Sequence, residues 1–154
     1  MASITEISEA YVEDLARLDP VRAARGMGVG GDLHHVTDWS PEGHAARAEL
    51  FRRTAAALRA TEPADEAERL GKLFLLDEVE GELGLHDTGE AEALVSAIVG
   101  PPAALRMSFD LLARTTDEDW VRVADRLDGV AATLDGHRRS LTEAADRGVV
   151  ATRS

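Results

Sequence analysis

A chain of 154 residues with 44% hydrophobic content is about one ordinary domain, long enough to bury a core and too apolar to be a disordered tail. Aromatic residues make up 4% and cysteine is absent, so the core is expected to be aliphatic, and disulfide and thiolate chemistry are excluded. A net charge of −12 repels phosphate backbones and anionic lipid, which argues against nucleic acid and membrane surfaces as partners.

The opening "MASITEISEAYVEDLARLD" has neither a basic start nor an apolar stretch, so it does not read as a signal peptide. No run is long enough to span a bilayer, and a cytoplasmic location is the expectation. Ile4, Ile7, Tyr11, Leu15 and Leu18 recur at helical spacing and predict a first helix from Ile4 to about Arg25, interrupted or restarted at Pro20. Gly26 is expected to cap its end, and "GMGVGG" to turn the chain. A second helix is predicted from Ser40, with Ser40 as N-cap and Pro41 in the first position, to Ala60.

After the break at Pro63, a third helix is predicted over about Ala64 to Val99, loosened at Gly81, Gly84 and Gly89. "GPP" at Gly100 to Pro102 stops it, and a fourth helix follows from Pro102 to about Ala113. Thr115 with Glu118 three residues on reads as a capping box for a fifth helix reaching Gly148. Its predicted core stripe is Trp120, Val123, Leu127, Val130, Leu134 and Leu141. Strand signals are nearly absent and the joints are short. The fold class is therefore all-α, a single helical bundle of about five helices.

"GMGVGG" matches a dinucleotide fingerprint in letters only. That motif needs a strand before it and a helix directly after it, whereas here a helix precedes and a loop follows. His34, His35 and His44, with Asp32 and Asp38, lie close in sequence as a conceivable metal set. Adjacent histidines diverge on an extended backbone, so an exposed polar loop is the plainer reading, and neither metal nor cofactor is implied.

"DEVEGELGLHDTGE" is more suggestive. Glu78, Glu82, His86 and Glu90 recur every four residues and form a drifting helical ridge. His86 and Glu90, with Glu82, are expected to approach the core. A carboxylate one turn from a histidine holds its tautomer, which a general acid or base needs; a satisfied structural histidine looks the same. His137 falls between Leu134 and Leu141 and is expected either to share that cavity or to bond a carbonyl. Trp39 and Tyr11 are candidates to line a ligand pocket, and Arg106 of "RMSFD" to bind an anion, against the plainer readings of packing and a surface ion pair.

The stretches "LDPVRAARGMGVGGDLHHVTDWSPEGHAARAEL", "ELGLHDTGEAEAL" and "VGPPAALRMSFDLLARTTDEDWVRVADRLDGVAATLDGHRRSLTEAADRGVVATR" resemble the N-terminal helical portion of the bacterial Domain of Unknown Function 885 family. The resemblance implies a helical segment that lines or covers one side of a deep substrate cleft, in a family common in actinobacteria whose fold resembles that of helical zinc carboxypeptidases. It also implies that the zinc-binding HExxH-type half of longer relatives is missing, so no catalytic residue carries over. Three functions follow as expectations. The first is a small molecule or peptide bound between helices with metal-free acid–base chemistry, of cyclase, isomerase or lyase type in specialised metabolism. The second is a non-catalytic module acting as a homodimer or with a partner chain. The third is one half of a split zinc hydrolase.

Overall fold

A computed structural model describes residues 2–27, 34–96 and 98–151, and among these the regular structure is entirely helical. Helix α1 spans Ile4–Leu18, opened by a capping box in which Ser3 and Glu6 satisfy each other's backbone N–H groups. Asp19 leaves the helical region, and its carboxylate then caps α2 (Pro20–Arg22) by accepting from the Arg22 N–H at 3.0 Å. Pro20 thus restarts the helix as the sequence predicts. A π-helical turn, Ala23–Met27, follows. Gly26 sits inside this turn and does not cap a helix. The expected turn at Gly28, Gly30 and Gly31, with Asp32, lies outside the described residues.

Helix α3 (Pro41–Ala60) begins where expected, with the Ser40 hydroxyl accepting from the Gly43 N–H at 3.1 Å. Helix α4 spans Glu66–Asp87, twelve residues short of the predicted end. The reason is Gly89, at φ +79°, a conformation other residues reach only with strain. It follows the C-cap Thr88 and reverses the chain, with the Ala91 N–H bonding back to Leu85 O at 3.1 Å. Gly81 and Gly84 lie in open space on the helix surface and do not interrupt it.

Helix α5 (Pro101–Asp110) and helix α6 (Asp117–Asp146) complete the chain, giving six α-helices among the described residues where about five were expected. The capping box of α6 is one residue later than predicted. Thr116 is the cap, and Asp119 reaches both Thr115 N and Thr116 N at 3.0 Å. The shorter Asp carboxylate serves two orphan donors at once, which Glu118 does not.

The apolar core lies among α1, α3 and α4, where Tyr11, Leu15, Leu50, Phe51, Ala55 and Val79 are buried together. Helix α6 rests on α3 and α5 by a different surface. Its buried positions are Asp119, Arg126, Thr133, Gly136, His137, Ser140 and Ala144, while Trp120, Leu127 and Leu134 of the predicted core stripe are exposed. The register is therefore turned away from the apolar seam. Close approach explains part of this, since a Cβ on Gly136 would stand 3.2 Å from Ser40. Polar contacts explain the rest. Ser140 Oγ donates to Trp39 O at 2.8 Å, Arg126 donates to Ser108 O at 2.9 Å, and Arg139 clasps Glu42 through two bonds of 3.0 and 3.1 Å.

Candidate functional site

A half-open cleft of about 550 Å³ lies between the α2–π turn, α3, the end of α4 and the start of α5. Its apolar walls include Val21, Phe51, Leu85, Leu94 and Val99, and Trp39 stands at one side, almost fully buried. Polar groups converge on it from four elements: Asp19 and Arg22, then Arg25 of the π-helical turn, His44 and Arg47 of α3, and Glu82 and His86 of α4. This mixture of apolar wall and few convergent polar groups is the composition of small-molecule sites.

His86 is one of the residues singled out by sequence, and it lines the cleft. Its carboxylate partner is neither Glu82 nor Glu90. Glu92, 5% exposed, places its Oε1 2.8 Å from His86 Nδ1. The turn at Gly89 folds residues 90–93 back against the end of α4 and brings Glu92 under the imidazole. Arg147 approaches the other Glu92 oxygen at 3.8 Å, and among the described residues that buried oxygen has no hydrogen-bond partner. Glu90 stands on the turn, exposed and off the helix, which corrects the predicted ridge. Glu82 lines the cleft and pairs with Arg22 at 3.0 Å, while Glu78 pairs with the same guanidinium.

His44 emerges as a site residue that the sequence offered only as a metal candidate. It is 8% exposed, its Nε2 has no hydrogen-bond partner, and burial, with the nearby Arg47 charge next, pushes its pKa down to about 3. The imidazole is therefore neutral at physiological pH. His86 and His137 lie close enough to depress it further. His137 itself is buried on α6, with an unpartnered Nδ1 and a pKa lowered by burial, but it is not among the residues lining the cleft.

Tyr11 belongs to the core beside the cleft. Its ring centroid is 6.4 Å from that of Phe51, and burial pushes its pKa up to about 12 while Arg22 pulls it down. Arg106 lies elsewhere, its side chain 75% exposed and paired one turn on with Asp110 at 3.7 Å. His34 bonds Asp125 of α6 at 2.6 Å, and the Asp38 carboxylate accepts from Ser40 N at 2.8 Å. Among the described residues no group of three or more His, Asp or Glu side chains is arranged to hold a metal ion.

Fold and site together define an all-helical protein with a mixed polar and apolar cleft floored by α3. The chain belongs to the family described as Bacterial protein of unknown function (DUF885), whose model matches residues 20–154. A comparison with curated proteins finds no match. No helix among the described residues is long and apolar enough to cross a membrane.

Proposed function

We propose that the cleft binds a small organic molecule and that His86, held by Glu92, moves a proton to or from it. The observation that carries this reading is the 2.8 Å contact between His86 Nδ1 and a buried carboxylate at the edge of a 550 Å³ cleft. A carboxylate 2.8 Å from Nδ1 favours the proton on that nitrogen, which leaves the Nε2 lone pair as the position that takes up or releases the substrate proton. Neutral His44, also lining the cleft, supplies a hydrogen bond without a charge. The apolar walls exclude water around the bound molecule. This is metal-free acid–base chemistry of the kind isomerases and lyases use.

Trp39 lines the cleft and Trp120 is exposed on α6, so the Trp120→Phe protein reports cleft occupancy through Trp39 emission alone. A panel of small metabolites is expected to contain members giving a saturable change. For such a molecule, His86→Gln should lower turnover on the order of a hundredfold while moving the Kd only a few fold. A panel without any saturable response, or undiminished turnover in His86→Gln, would refute the reading.

A second reading, association of two copies through α6, is favoured by its seam of exposed Trp120, Leu127 and Leu134 at alternating spacings of four and three, with Ala124 and Ala131 between them. Light scattering of a concentrated sample tests it. A dimer dispersed by Leu127→Glu supports it, and a monomer at all concentrations removes it.

A further inference from the structure

Arg47 is a buried cation facing an open cleft with its charge largely unspent. It is 7% exposed, and burial lowers its pKa. Among the described residues it donates from Nη1 to a neutral acceptor, Asp38 O, at 2.6 Å. No carboxylate among the described residues lies within ion-pair distance of it, and Asp19, Asp38 and Glu82 act on its charge only from farther away. A buried guanidinium is ordinarily paired, because taking its charge out of water costs several kcal/mol that a facing anion offsets.

The cleft's own carboxylates are occupied elsewhere. Glu82 is bound by Arg22, and Asp19 accepts from Arg22 N at 3.0 Å and from Thr37 Oγ1 at 2.5 Å. One turn before Arg47 on the same helix stands His44, neutral, with its buried Nε2 unpartnered. The guanidinium's remaining donors and this imidazole form one polar spot on an otherwise apolar wall made by Ala48 and Phe51.

We propose that the ligand of this cleft carries a carboxylate, received by the guanidinium of Arg47 with His44 beside it, and an apolar body lying along Phe51 and Leu94. The inference rests on the reading of the cleft as a small-molecule site and names the class of molecule it takes. A planar carboxylate matches the fork of a guanidinium through two parallel bonds. A single buried cation without an ion pair calls for one negative charge: of the other cleft arginines among the described residues, Arg22 is engaged by Glu78 and Glu82 and Arg25 is exposed, so only Arg47 offers a buried guanidinium to an anion.

Three molecules of one shape test this: phenylacetate, its neutral isostere phenylacetamide, and phenethylamine. Binding is read in the Trp120→Phe protein by Trp39 emission and by saturation-transfer NMR at millimolar concentrations. The expected result is that phenylacetate binds at least tenfold more tightly than the amide, with the amine weakest. Arg47→Gln should abolish the acid-over-amide preference, and Arg47→Lys should keep part of it, since charge remains and the fork is lost. The comparison of ligands on the unaltered arginine stands even where Arg47→Gln fails to fold. Equal binding of acid and amide, or preference for the amine, overturns the carboxylate assignment and leaves the cleft as a site. No binding by any of the three, with no response from the wider metabolite panel, overturns both.

Discussion

Helices α3 and α6 are both long and both amphipathic, yet they are held by opposite means. Helix α3 buries Leu50, Phe51, Ala55 and Leu58 against α1 and α4, and its position follows from removing apolar surface from water. Helix α6 buries Arg126, Thr133, His137 and Ser140, and turns Trp120, Leu127 and Leu134 to the outside. Stability should therefore reside in the α1–α3–α4 unit. The docking of α6 is a matter of close approach and directed polar contacts, and its apolar seam contributes little to the monomer.

Mutations at the two places should separate accordingly. Leu15→Ala, at a fully buried core position, should destabilise by about 3 kcal/mol in chemical denaturation. Gly136→Val on α6 should cost about 2 kcal/mol, because its Cβ would stand only 3.2 Å from Ser40 and its two methyl groups add bulk at this tight joint with α3. A loss no larger than that of an exposed glycine such as Gly81 would contradict the close-packed joint.

The buried histidine makes a pH-dependent contrast. His44 has a folded pKa of about 3 against an ordinary value of 6.5, so below about pH 6.5 the unfolded chain takes up a proton that the folded chain refuses. Its contribution is complete above that pH and is lost as pH falls toward 3, with a slope of roughly 1 kcal/mol per pH unit. His137, lowered in the same direction, adds to the slope. His44→Asn should flatten the stability profile between pH 6 and pH 4; an unchanged slope would show that the imidazole protonates in place. The smallest effect is expected at Leu127, 57% exposed: Leu127→Gln should shift monomer stability by less than about 0.5 kcal/mol, although its apolar spacing marks it as core. A loss of 2 kcal/mol or more would mean that the seam is covered in solution.

These contrasts also explain what was legible in the sequence. Caps are local chemistry, so Ser40–Pro41 located α3 to the residue. Gly89 lies within a continuing helical pattern that shows it only as a soft spot, and its left-handed backbone is what makes it an end. A helix continued through Gly89 carries Glu90 onto the ridge and hides Glu92, whose meeting with His86 depends on the reversal. "HDTG", a polar helix end followed by glycine, was the available signal. The register of α6 was not legible, because periodicity finds the apolar face but does not say which face is buried. His86, Glu82 and Trp39 were found and do line the cleft. Arg47 is not legible, since nothing in its local sequence distinguishes a buried arginine from an exposed one.

The tautomer of His86 tests the proposed chemistry most directly, because base function at Nε2 requires the proton on Nδ1. Long-range proton–nitrogen NMR of the uniformly labelled protein at neutral pH reads it, with the His86 signals assigned by their loss in His86→Gln. The account predicts the Nδ1–H form, shifting toward the Nε2–H form in Glu92→Gln. An Nε2–H tautomer in the unaltered protein, or one indifferent to Glu92, would contradict it.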